Sequence, residues 1–232
     1  MILSSNNILV FSDKSNIIVF GGANMIITTS MLRERYASYS NPMDKIRREA
    51  KSGIIIRIKR GVYETDRGVD PFLLASSILS PSYISFDFAL SYYGMIPEKV
   101  IAITSASLNN RKNKTFVNEF GRYEYSDIPE EAFSEGLTYL ENGDYIVKMA
   151  SKEKALCDSL YKWRAVHSLK DLRELLFEDK RINITEFADC DHEQMCRLAK
   201  LYHRTNHNLL IKLIEKEYRS QLIKNMKSEK VN

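Results

Sequence analysis

Ten of the 34 lysines and arginines in this 232-residue chain fall between residues 25 and 67, where only five acidic residues accompany them. Nine of the ten are Arg33, Arg35, Lys45, Arg47, Arg48, Lys51, Arg57, Lys59 and Arg60. Such groups recognise polyanions: they displace the counterions of a phosphodiester backbone, and an arginine fork also matches the edge of guanine. Residues 1–24 hold one acid and one base, and residues 68–232 hold 23 basic against 24 acidic residues, so the net charge of +4 is concentrated in one segment. A positive field focused on a small module is the footprint of a nucleic-acid binder, although a solvated charged face has the same composition.

Two other groups invite a metal. Cys190, His192, Cys196, His203 and His207 lie close in sequence, but the Cys-x5-Cys-x6-His-x3-His spacing departs from the zinc finger, which has two to four residues between cysteines and about twelve before the histidines. Asp144 and Lys148, with Glu153 and Lys154, resemble the acid-and-lysine sites of metal-dependent nucleases, yet no second convergent carboxylate accompanies them. These residues are read as ordinary helix and salt-bridge residues. The sequence has no phosphate-cradling glycine loop, serine nucleophile elbow or paired-histidine motif. The chain is therefore expected to be no enzyme and to need no cofactor or metal, with a metal-dependent nuclease as the rival reading.

Bulk properties set the frame. Hydrophobic residues make up 44% and charged residues 28%, which suits a folded protein with a real core. The length suggests two domains, and five prolines and nine glycines leave little for a flexible linker. Three cysteines in no dense pattern point to a reducing cytoplasm, and no run approaches the ~20 apolar residues of a membrane span.

The elements that must position the basic residues are legible in the head, residues 25–67. In the extension before it, residues 1–24, the β-prone runs 8–11 and 17–20 are placed to pair as a hairpin, and Met25 resembles a second translation start. Thr28 or Thr29 is expected to cap a helix from Ser30 to Ala37. Ser40-Asn41-Pro42 starts a second helix from Pro42 to Lys51, which Gly53 closes. Its apolar face comprises Met43, Ile46 and Ala50, with Asp44, Lys45, Arg48, Glu49 and Lys51 pointing away and Arg47 at the boundary. From Ile56 the chain alternates apolar and basic residues, turns at Arg60-Gly61 and returns through Val62 and Tyr63 as a cationic β-wing. Helix, turn, helix and wing predict a winged helix-turn-helix that binds double-stranded DNA. A winged-helix protein adaptor is the alternative.

Residues 68–165 read as an α+β body and residues 166–232 as a helical C-terminal region, so the fold class expected is α+β throughout. Helices are expected over Asp70–Leu79 and Phe86–Tyr93, the latter capped by Ser85. Strands are expected over Val100–Thr104, Phe116–Tyr125 and Asp144–Met149. A helix capped by Ser151 carries Ala155, Leu156, Leu160 and Trp163. Further helices follow over Leu169–Phe177, Ile184–Ala188, Asp191–Tyr202 and Asn206–Met226. Leu209, Leu210, Leu213, Ile214 and Leu222 stripe the last one as core, with a homodimer contact as the lesser reading.

The wing stretch Lys51-Ser-Gly-Ile-Ile-Ile-Arg-Ile-Lys-Arg-Gly-Val-Tyr63 resembles that of the AbiEi family of antitoxins. Asp70-Pro-Phe-Leu-Leu-Ala75, Tyr83-Ile-Ser-Phe-Asp-Phe-Ala-Leu90, Tyr93-Gly-Met-Ile-Pro97 and Ala150-Ser-Lys-Glu-Lys-Ala-Leu-Cys-Asp158 follow in the same order, so the likeness covers about residues 25–165. The resemblance implies an antitoxin and transcriptional regulator of a type IV abortive-infection system, repressing its own operon. Its toxin partner would be nucleotidyltransferase-like and countered by the C-terminal domain without a stable complex. On the same resemblance Lys152, Glu153, Lys154 and Asp158 form an antitoxin motif; on composition alone they are a helix start whose Lys and Glu are solvated. The 24-residue extension and the lack of a clear first helix before Thr28 depart from the family pattern.

Overall fold

The computed structural model describes residues 8–11, 18–21, 26–142 and 145–218. Chain contacts divide it into two compact units, Met1–Val69 with Glu141–Tyr145, and Asp70–Leu140 with Ile146–Asn232. The architecture is mixed α+β. Among the described residues no helix is long and apolar enough to cross a membrane.

In the first unit, β1 (Ile8–Phe11) and β2 (Ile18–Gly21) pair antiparallel. Met25 lies outside the described residues. β3 (Ile26–Thr28) leads into α1 (Thr29–Arg35), where the Thr28 side chain accepts from the Met31 N–H as an N-cap. In α2 (Pro42–Ser52) Asn41 caps the Asp44 N–H at 3.2 Å, and Gly53 closes the helix in the left-handed conformation at φ 73°, where a side chain would be strained. β4 (Ile56–Lys59) and β5 (Val62–Glu64) form a hairpin around Arg60-Gly61. The short β3 adds a third strand in the order β3-β5-β4, with Ile27 opposite Tyr63. Ile27, Leu32, Tyr36, Ile46, Ile55 and Tyr63 make the core, and Met43 and Ala50 pack against it as their helical spacing requires.

The second unit opens with a 3-10 turn, Pro71–Leu74, and α3 (Ala75–Ile78), where one continuous helix was expected. Then come β6 (Ser82–Ile84), α4 (Phe86–Tyr92), β7 (Ile103–Ser107), β8 (Lys114–Asn118), β9 (Gly121–Asp127), α5 (Glu130–Phe133), β10 (Leu137–Asn142), β11 (Tyr145–Ala150) and α6 (Lys152–Lys162). α7 (Leu169–Arg173) runs into a π-helical turn, Glu174–Asp179, and α8 (Ile184–Ala188), α9 (His192–Lys200) and α10 (Thr205–Glu217) complete the unit. The six-stranded sheet has the order β10-β11-β6-β7-β9-β8, with β7 parallel to β9 and β11 parallel to β6.

The expected strand Val100–Thr104 is displaced to Ile103–Ser107, and Ile101 stands 86% exposed. α4 packs on this strand, and the Thr104 hydroxyl ties the two together, accepting from the Phe88 N–H at 3.0 Å and donating to the Ser85 carbonyl at 2.6 Å. Ser85 precedes α4 but makes no cap; its hydroxyl points instead to Asp158. Trp163 is the C-cap of α6 and not one of its helical residues. Leu209, Leu210, Leu213 and Ile214 of α10 are buried in the unit's own core, against α9, α7 and α6, and Leu222 lies outside the described residues.

Candidate functional site

The basic residues of the first unit fall into two sets. Arg47, Arg48 and Lys51 are exposed and share one arc of α2 with Asp44, with Arg48 farthest from the buried Ile46 and Arg47 bordering Met43 and Ala50. Arg47 stands 71% exposed with its guanidinium 2.8 Å from the Asp44 carboxylate, and Arg48 Nε donates to the Asp44 carbonyl at 3.4 Å. Arg60 is exposed at the hairpin turn, and the Thr29 N–H donates to the Gly61 carbonyl at 2.9 Å, which ties that turn to the start of α1. Arg57 is exposed over the Tyr63 ring at 5.9 Å, and Arg33 Nε reaches Met43 Sδ at 3.2 Å.

The other set is committed internally. Lys45 is half-buried, with Nζ 3.1 Å from Glu49 Oε1 and 5.4 and 5.8 Å from the Tyr39 and Tyr36 ring centres. Glu49, expected to point to solvent, is buried and accepts from the Tyr36 hydroxyl. Burial first and this carboxylate second push the Tyr36 hydroxyl's pKa far above its ordinary value. Arg35, beside Tyr36, and Lys59 are half-buried. Lys45 and Arg47 thus exchange their expected roles: the tyrosine and glutamate of the core claim the first, and solvent receives the second. A cavity of about 490 Å³ between Tyr39, Asn41, Asp44, Arg47 and Arg48 marks the N-terminal end of this arc.

The second site is an ion pair inside the body. Lys154 and Asp158 sit one turn apart on α6 with Nζ and Oδ1 2.9 Å apart and both side chains fully buried. The Tyr202 hydroxyl accepts from Lys154 Nζ and donates to Asp158 Oδ1 at 2.5 Å; Tyr83 and Ser85 donate to Oδ2 at 3.0 and 2.5 Å. Four donors occupy the acceptor positions of one carboxylate, the bonding pattern of its ionised form. Burial, reinforced by Asp158, raises the Tyr83 and Tyr202 hydroxyls well above the usual phenol range. Lys154 Nζ also faces the Tyr202 and Tyr83 rings at 4.8 and 5.5 Å. Gly136, at φ 67°, lies so close that an added Cβ would stand 3.1 Å from the Lys154 Cβ. Glu153 is buried as well and accepts from the Asp191 N–H at 3.0 Å, while Lys152 is half-buried. The solvated Lys and Glu expected at this helix start are therefore interior groups. The resemblance singled out the acid and the base; the tyrosines and Ser85, 44 to 75 residues away, had no local signal.

The cysteine and histidine cluster disperses. His192 bonds the Phe187 carbonyl at 3.0 Å, Cys190 Sγ the Glu186 carbonyl at 3.3 Å, and His203 the exposed Glu131 at 2.9 Å. Burial raises the Cys190 and Cys196 thiols to about 12 and about 11. His207 is buried, donates through Nε2 to the Cys157 carbonyl at 2.9 Å and stacks on Tyr202 at 4.3 Å; burial lowers its pKa to about 4. Lys148 is exposed beside Tyr139, and Asp144 lies outside the described residues. Among the described residues no three His, Cys, Asp or Glu side chains are grouped to hold a metal ion.

No protein-family model matches the chain, and no curated protein matches its sequence.

Proposed function

We propose that residues 26–64 are a winged helix that binds double-stranded operator DNA, with α2 in the major groove and the Arg60-Gly61 turn along the backbone. The observation that carries this reading is the division of α2 into a core face, Met43, Ile46 and Ala50, and an exposed face carrying Arg48 and Lys51 with Arg47 at its border. A helix laid in a groove needs this two-sidedness: one side anchored, the other cationic and free to reach phosphates and base edges. β3 supports the reading, because β3 pairing with the second hairpin strand gives the hairpin a fixed base. The ordered motifs shared with the AbiEi antitoxins extend it: the protein would repress its own operon in the cytoplasm, and its body would counter a nucleotidyltransferase-like toxin.

Gel shift against the DNA upstream of its own gene tests the first part. If Arg47, Arg48, Lys51, Arg57 and Arg60 each neutralise a phosphate, affinity drops on the order of a few hundredfold between 50 and 200 mM salt. Arg48→Ala weakens binding about tenfold or more, whereas Lys45→Ala, which removes a cation already held by Glu49, weakens it far less. Absent or salt-insensitive binding overturns the reading. The second part is tested by co-expression with the neighbouring reading frame: rescue of growth supports the antitoxin role, and no toxicity to rescue removes it.

A further inference from the structure

A cleft of about 290 Å³ opens in the body beside the buried ion pair. Tyr83 is part of its wall, held at one end by the hydrogen bond to Asp158 and set against the Phe133 ring at 5.2 Å, so the ionic centre fixes this part of the wall. Ser76, Ser80 and Ser134 line it with hydroxyls that meet no protein hydrogen-bond partner among the described residues. Lys148 stands at its edge, exposed, 5.9 Å from the Tyr139 ring centre and with no carboxylate within ion-pair distance among the described residues. The lining residues include that one cation and no acid. Two large apolar side chains of the rim, Tyr139 and Ile146, are 61% and 65% exposed.

Each part has a chemical complement. An ammonium without a carboxylate partner, beside serine hydroxyls in the same lining, receives an anion bearing several acceptor oxygens. An exposed aromatic ring offers a stacking face to a planar ring, worth ~1–3 kcal/mol where a nucleobase lies on it. The volume sits at the lower limit of ligand pockets, roughly 300–1,000 Å³, which suits one nucleotide and not a longer strand. We propose that this cleft binds a single nucleoside monophosphate, with the phosphate at Lys148 and the serine hydroxyls and the base on Tyr139. The site is independent of the DNA-binding reading.

Calorimetric and NMR titration of the full chain with each of the four nucleoside 5′-monophosphates, and separately with inorganic phosphate and adenosine, tests it. At least one nucleotide should saturate the cleft with Kd below a millimolar, while phosphate alone and adenosine alone bind tenfold or more weakly. Lys148→Gln should lose about tenfold and Lys148→Arg retain binding; Tyr139→Ala should lose it and Tyr139→Phe keep it. Lys148 and Tyr139 are exposed, so an unchanged melting temperature and unchanged DNA gel shift show that neither the fold nor the head is disturbed. The proposal falls if no nucleotide saturates at millimolar concentration, if phosphate alone binds as well, or if Lys148→Gln binds like the wild type.

Discussion

α2 and α6 carry the same local device at different depths. Each is an 11-residue helix with a lysine one turn before an acid, and each acid accepts from a tyrosine hydroxyl brought from elsewhere in the chain. Lys45 and Glu49 are 3.1 Å apart with side chains 28% and 10% exposed; Lys154 and Asp158 are 2.9 Å apart with none. Water still reaches Lys45 in the first pair, which limits that pair's net contribution. The second has lost its water entirely, and its charges are tolerable only because three hydroxyls and the mutual attraction replace it. Depth, and not spacing, decides whether such a pair decorates a helix or controls the stability of its unit.

The strongest challenge to this contrast is Asp158→Ala. It strands a buried ammonium and should lower unfolding stability by about 3–5 kcal/mol in denaturant titration, whereas replacing both Lys154 and Asp158 by Met and Leu removes both charges, leaves only the hydroxyls of Tyr83, Ser85 and Tyr202 without this acceptor, and should cost less. A loss under 1 kcal/mol for the single variant would remove the distinction. Next in size is a pH effect carried by a histidine of the body, which holds all four histidines. His207 ionises near 4 in the folded protein and near 6.5 when unfolded, so the unfolded chain takes up the proton first as pH falls. Its contribution is full above pH 6.5 and is lost progressively down to about 4, by up to about 3 kcal/mol. Fluorescence of Trp163, the sole tryptophan, follows body unfolding; His207→Gln should flatten the decline. Smallest are the head variants. Glu49→Gln keeps an acceptor for Tyr36 but ends the ion pair, for about 1 kcal/mol, and Lys45→Met costs roughly 0–1 kcal/mol. A reversed order, with Lys45→Met more damaging than Asp158→Ala, would invert the comparison.

The head was largely readable because its signals are local. Asn41-Pro42 and Gly53 bound α2, and Arg60-Gly61 turns the hairpin, each through the backbone preference of the residue itself. β3 escaped notice because three residues carry no periodicity without their partner β5. Glu49 escaped because its burial depends on Tyr36, 13 positions earlier at the C-cap of α1. In the body the apolar run at residues 100–104 outweighed Thr104-Ser-Ala-Ser107, whose burial depends on β6, β9 and α4 and leaves no apolar periodicity in the sequence. Lys154 and Asp158 were visible as residues and invisible as a centre, since the hydroxyls that solvate them come from β6, the start of α4 and the segment after α9.

The strand order of the body has a consequence for how the chain emerges from the ribosome. The head's sheet closes between residues 26 and 64, but β6 must wait for β11, with Met149 beside Ile84, before the central sheet is whole. Distant pairings of this kind assemble slowly, and N-terminal units fold first during synthesis. A nascent chain stalled near residue 100 would therefore already contain β3, α1, α2 and the β4-β5 hairpin, while β6, the first strand of its body, still lacked both of its neighbours in the sheet.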